Sequence, residues 1–281
     1  MSVSYDLQAV ASQVRRDIVR MVHGAASGHP GGSLGCADLL TLLYFESMQI
    51  HPDPFEMDGH GEDLFFLSNG HISPVWYSVL ARRGFFPVDE LATFRKLSSR
   101  LQGHPATEEG LPGIRVASGS LGQGLSVALG AAESKRLNGD DGMVFSLHGD
   151  GELQEGQIWE AAMYAAHRKV DNLLSFVDWN GQQIDGPLED VLNLGDLKAK
   201  FEAFGWRVMV CDGHDFDSLR EVISQARTFR GTGIPSVALM KTSMGKGVDF
   251  MEGTHKWHGI APSDDQLADA LSQLEETLGD Y

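Results

Sequence analysis

The chain has 281 residues, enough for one large α/β domain with a deep core. Its formal net charge of −17 excludes a general nucleic-acid or anionic-membrane surface, because neither would meet a cationic footprint. The two cysteines, Cys36 and Cys211, lie far apart without metal-ligand spacing, the N-terminus MSVSYDLQAV has no basic region followed by an apolar run, and no segment approaches a membrane span, so a soluble cytoplasmic protein with reduced thiols is expected.

Residues 7–26 carry Val10, Val14, Ile18, Met21, Val22 and Ala25 at helical spacing, and Gly28 stops the run. Residues 27–35 (SGHPGGSLG) form a glycine-rich loop holding His29, and 37–48 read as a second helix. A short buried strand at 63–68 opens into Asn69-Gly70-His71, and 72–83 are helical up to Gly84. The stretch 94–103, leading to Gly103-His104-Pro105, is too irregular to assign, and 116–124 (VASGSLGQG) is a second glycine-rich turn ahead of a helix over 125–137. Beyond the central segment come a strand at 206–211, a helix at 216–229 and a strand at 237–241. Ser263 with Gln266 forms a capping box for a last helix through Leu278. No repeat or linker interrupts this alternation, which predicts one domain built on a mostly parallel sheet with helices on both faces.

The central segment carries the chemistry. An apolar run at 143–147 ends in Gly149-Asp150-Gly151, and a second at 173–177 ends in Asp178-Trp179-Asn180-Gly181, with a helical pattern at 158–168 between them. In a strand–helix–strand unit the strands are parallel and both turns fall at their carboxyl ends, where open α/β sheets bind ligands. Asp150 and Asn180 are therefore expected to face one crevice. A carboxylate oxygen, an amide oxygen and a backbone carbonyl after Asn180 are hard donors suited to Mg²⁺ or Ca²⁺, and phosphates would complete the coordination. Gly149 and Gly151 leave room for an anion, toward which the following helix would point its N-terminus. The site reads as metal plus diphosphate.

The GDG turn followed about thirty residues later by Asn resembles the signature of thiamine diphosphate enzymes. LQEGQIWEA, SGHPGGSLG, SNGH, GHP, SGSLGQG, KTSMGKG and HKWHG, in that family's order, resemble transketolase from about His23 to Gly259. The resemblance implies a thiamine diphosphate-binding fold and transfer of a two-carbon ketol unit between sugar phosphates. It implies Asp150, Asn180 and the backbone oxygen of Gln182 as metal ligands, Gly151 as a diphosphate donor and Ile184 as an apolar support beneath the cofactor. Gly119 and Leu121 would lie along the aminopyrimidine. His71 and His258 would approach the diphosphate and thiazolium, and His29 and His104 the donor sugar's hydroxyls. Glu155, placed at the cofactor site, and Glu160 match glutamates of an interface carboxylate network that could equally be solvated. Two departures stand out: Glu152 replaces a small residue after GDG, and Ser120 a common proline.

A full transketolase would continue into pyrimidine-binding and C-terminal domains. The expectation is therefore a single diphosphate-binding domain over 1–281, the N-terminal subunit of a split enzyme whose C-terminal partner supplies the activating glutamate in an α₂β₂ assembly. The rival readings are the alpha subunit of a 2-oxo acid dehydrogenase and a non-catalytic cofactor-binding module. The remaining histidines, including His23, His51, His60, His148, His167, His214 and His255, are expected on the surface or satisfied in the core.

Overall fold

The computed structural model describes residues 4–281. Helix α1 (Leu7–Gly24) starts at Asp6, whose side chain accepts from the amides of Gln8 and Ala9, a normal N-cap. The loop expected at 27–35 contains a short helix, α2 (Pro30–Gly35), started by a proline that presets the backbone. Helix α3 (Ala37–Leu42) runs into a π-helical turn at Leu43–Ser47, where one continuous helix was expected. Strand β1 (Leu64–Leu67) leads through a 3₁₀ turn at Gly70–Ile72 into α4 (Ser73–Arg83), which Gly84 ends in the left-handed region.

Helix α5 (Gly124–Leu137), strand β2 (Val144–Gly149), helix α6 (Gly156–Arg168) and strand β3 (Leu173–Trp179) form the central unit. A small hairpin, β4 (Gln182–Gln183) with β5 (Gly186–Pro187), and two short helices, α7 (Leu188–Leu192) and α8 (Leu197–Ala203), follow. They carry no periodicity long enough to be read from sequence. Strand β6 (Arg207–Asp212), helix α9 (Phe216–Thr228), strand β7 (Ser236–Lys241) and helix α10 (Asp264–Gln273) complete the chain.

All five long strands are parallel, in the order β1-β2-β3-β7-β6. Successive side chains point to opposite faces, so each strand feeds two cores. Phe65, Phe145, Leu174 and Phe176 pack with α1, α3, α4 and α9. Leu64, Val144, Leu173 and Val177 pack with α5, α6 and Phe201 of α8. The expected α/β architecture with both faces covered is the one observed. Among the described residues no helix is long and apolar enough to cross a membrane, and Cys36 and Cys211 are buried free thiols.

The capping box forms in full: Ser263 accepts from the Gln266 amide, and the Gln266 side chain accepts from Ser263 N–H. The helix nevertheless ends at Gln273, short of the expected Leu278. Hydrogen-bonding side chains on α1 capture the following residues instead. Ser12 Oγ donates to the Glu275 carbonyl, Arg16 to those of Leu271 and Leu274, and Gln13 Oε1 accepts from the amides of Thr277 and Leu278.

Candidate functional site

Strands β2 and β3 run side by side with Gly149 opposite Asp178, so their terminal turns meet at one sheet edge. The contact between the turns is direct. Asp150 Oδ2 accepts from Gly181 N–H at 2.6 Å and Oδ1 from Gly151 N–H at 2.8 Å. Asn180 is oriented from behind: its Nδ2 donates to Asp178 Oδ2 at 2.8 Å, while its Oδ1 accepts from Gln182 N–H. Asp178 also accepts from Thr242 Oγ1.

Asp150 is only 1% exposed, and the carboxylate it faces is Asp178. Burial and that second negative charge push its pKa up to about 7 against the pull of the backbone donors. Burial likewise raises Asp178. Two buried carboxylates pressing on each other at a turn rich in oxygen donors form a setting that a divalent cation would relieve. Among the described residues no cluster of three or more His, Cys, Asp or Glu could hold a metal. This is compatible with the expected set of one carboxylate, one amide oxygen and one backbone carbonyl.

A cavity of about 400 Å³ opens above this edge. Asp150, Gly151, Glu155, Asn180, Gln182 and Ile184 line it from the central unit, Gly119 and Leu121 from the loop ahead of α5, and His29, His71, His104 and His258 complete the lining. Every residue singled out for the site is thus brought to one cleft. The four imidazoles come from four separate segments. His29 lies 5.0 Å from His71, 5.6 Å from His258 and 6.5 Å from His104 between ring centroids, and His71 stacks on His258 at 5.3 Å. Gly119 meets the cluster closely: a Cβ there would lie 2.7 Å from His104 Cδ2, and its φ of +131° disfavours any other residue.

Burial, with His258 and further imidazoles beside it, lowers the pKa of His71 to about 3 and of His29 to about 4. Burial also lowers His104 and His258. The rings are therefore neutral near pH 7, each with one nitrogen free to accept. Three buried atoms of lining residues lack a protein partner, His29 Nδ1, His258 Nδ1 and Asn69 Oδ1, which fits a polar occupant.

A pH dependence of stability follows. A histidine depressed in the fold stays neutral while the unfolded chain takes up a proton, so stability is lost as pH falls below about 6.5 toward the folded value. The carboxyl of Asp150, held up near 7, acts in the opposite sense. The stability of wild type minus that of His71→Gln isolates the histidine and is expected to fall by roughly 1 kcal/mol for each pH unit lowered between pH 6 and 4. Urea midpoints at three pH values measure it, and parallel curves for the two proteins would refute it.

Helix α6 (Gly156–Arg168) agrees with the helical pattern read at 158–168, but it does not point its N-terminus directly at the GDG turn. Residues Gly151–Gln154 form a 3₁₀ turn and α6 starts at Gly156, so the amides nearest the cleft belong to that turn. Within that turn Glu152 is buried, 3% exposed. Burial raises its carboxyl, but His148, Ser68 and the Gly122 amide outweigh that and hold it below the usual range. Glu155 and Glu160 are both exposed, Glu155 at the cleft and Glu160 in a groove between α5 and α6.

Asn69, Asp178 and Met244 also line the cleft and were not singled out. Asp178 was readable in principle, since Asp-x-Asn at a strand end puts both side chains on one face. Of the histidines set aside, His148 is buried with Nε2 on Ser146 and Nδ1 without a partner, while His214 bridges Asp38 and the Ser243 amide and is satisfied within the fold.

Residues 7–277 match the family model for the thiamine diphosphate-binding domain of transketolase. The chain belongs to that transketolase family. It is 37% identical over 271 residues to a 6-deoxy-6-sulfo-D-fructose transketolase subunit from Clostridium sp. (strain MSTE9), covering 96% of this chain and 97% of that protein. It is also 37% identical to an apulose-4-phosphate transketolase subunit from Actinobacillus succinogenes, covering 98% of each. Human transketolase is 35% identical over 95% of this chain, which spans 41% of that protein. A solved transketolase from Pichia stipitis superposes with a TM-score of 0.88 at 31% identity, over 96% of this chain and 41% of that one. These relatives favour transketolase over a 2-oxo acid dehydrogenase subunit. Several of the transketolases that cover this chain nearly end to end are named as subunits.

Proposed function

We propose that the cleft binds thiamine diphosphate through Mg²⁺ or Ca²⁺, and that the chain, a single diphosphate-binding domain over 1–281, is the N-terminal subunit of a two-component transketolase. The observation that carries the reading is the meeting of the Asp150 and Asn180 turns at one sheet edge, beneath four converging histidines. Bound thiamine diphosphate would supply the electron sink that allows a bond next to a ketose carbonyl to break.

Asp150, Asn180 and the Gln182 carbonyl would hold the cation, and Gly151 N–H would donate to the diphosphate. Ile184 would support the cofactor's middle, with Gly119 and Leu121 along the aminopyrimidine. His71 and His258, neutral at working pH, would serve the diphosphate and thiazolium side, while His29 and His104 would bind donor hydroxyls and stabilise developing oxyanions. Glu155 and Glu160, exposed on this chain, would join a carboxylate network at a subunit interface.

The names of the subunit-length relatives support a partner. A C-terminal subunit would bring the glutamate that activates the cofactor, and two-fold pairing would give α₂β₂. A cytoplasmic location agrees with two buried thiols and no disulfide. Substrates would be a ketose phosphate donor and an aldose phosphate acceptor. The relatives' names widen the donor panel to a sulfonated sugar and a branched sugar phosphate. The test is ketol transfer by the chain co-purified with its C-terminal partner, across that panel and with the partner omitted. Activity only in the pair, with mass consistent with two copies of each, is expected. Turnover by this chain alone, or pyruvate decarboxylation without ketol transfer, would overturn the reading.

A further inference from the structure

Glu152 ties together both walls of the cleft. Its Oε2 accepts from Gly149 N–H at 3.2 Å, on the wall that carries Asp150 and Gly151. Its Oε1 accepts from Gly122 N–H at 2.7 Å, on the wall that carries Gly119 and Leu121, and also from Ser68 Oγ at the end of β1. Ser68 Oγ in turn accepts from Gly124 N–H at 3.1 Å, which starts α5. Behind the carboxylate, His148 is fixed by Ser146 with Nδ1 3.8 Å from Oε1, and Ser146 donates to Ser175 of β3. One buried side chain therefore receives donors from three segments that are distant in sequence.

The geometry also says why the residue is a carboxylate. Both oxygens receive N–H or O–H donors, so an amide at this position would turn its own N–H group toward at least one of them. A buried donor facing a donor costs the full desolvation of the lost bond. An apolar side chain would abandon both backbone amides.

We propose that Glu152 is a positioning residue that fixes the spacing between the Gly149–Gly151 wall and the Gly119–Gly122 wall, and through that spacing sets cofactor affinity. The second clause rests on the functional reading above; the first stands on the hydrogen bonds alone. With Glu152→Gln the loop at 118–124 loosens while the sheet stays intact.

Hydrogen exchange on the cofactor-free full chain reads the first clause. In Glu152→Gln the amides of 118–124 exchange about tenfold faster or more, with β3 and β7 unchanged. Titration of Mg²⁺ and thiamine diphosphate into the chain with its partner reads the second, and about a tenfold weaker affinity is expected. Wild-type exchange and wild-type affinity in a folded variant would overturn the proposal. If Glu152→Gln does not fold, Ser68→Ala removes one donor and spares the carboxylate; it must accelerate the same amides, and no change there overturns the proposal. A wild-type complex that takes up no thiamine diphosphate sinks the functional reading instead, and the exchange comparison then decides for or against the clasp.

Discussion

Replacing Asp150 by Asn is expected to weaken binding of Mg²⁺ and thiamine diphosphate by about 100-fold or more while leaving the cofactor-free chain at least as stable at pH 8. The two effects have separate causes. The carboxylate is the one negatively charged donor expected for the cation, and an amide oxygen is a much weaker partner for a divalent ion. Stability moves the other way, because this carboxyl is buried against Asp178 and held up near 7. Ionising such a group inside the fold costs roughly 4 kcal/mol at pH 8 relative to an ordinary aspartate. The asparagine gives up one of the two bonds to Gly151 and Gly181 amides, worth about 1–3 kcal/mol, and keeps the other. Calorimetric titration together with a thermal melt of the cofactor-free protein measures both. Unimpaired affinity would remove Asp150 from the cation site. Lost affinity with collapsed stability would mean that the residue is needed to build the turn.

The next largest effect is expected at Gly70, where one methyl group should cost about tenfold or more in cofactor affinity and about 1–3 kcal/mol in stability. A Cβ on Gly70 would sit 2.4 Å from Ser118 Oγ and 2.8 Å from both Ser118 C and Gly119 N. The hydroxyl can rotate away, but the backbone cannot, so the Asn69–His71 turn and the 118–122 loop must part. Both line the cleft. Gly84→Ala is the control, because a Cβ there meets nothing within 4 Å and only the φ of +95° is strained. It should lower stability by about 1 kcal/mol and leave affinity alone. Equal affinities for the two variants would show that the contact between these loops does not shape the cleft.

The parts of the site that the sequence reveals are those whose chemistry is local. Asp150 between two glycines and Asn180 at the end of an apolar run announce donors at strand ends, because strand period and turn chemistry are short-range properties. The histidines are legible only through their motif contexts, since nothing in the spacing of His29, His71, His104 and His258 says that they meet. Glu152 shows the limit most plainly. In sequence it is a departure from a small residue; in the fold its partners Ser68 and Gly122 lie 84 and 30 positions away. The last helix fails for the same reason. Its capping box fixes the start, but hydrogen-bonding side chains on α1, at the other end of the chain, decide where it stops.

By itself, then, the amino-acid order determined the strand and helix alternation, the parallel sheet and the two oxygen-rich turns, because periodicity, capping and glycine conformations act over a few residues. Only the tertiary structure decided that four imidazoles share one neutral cluster, that Asp150 is pressed by Asp178, and that a single buried carboxylate joins the cleft's walls. Those outcomes depend on which segments the packed sheet brings together and on the loss of water around them, and burial is a property of the whole fold that no short stretch of chain carries.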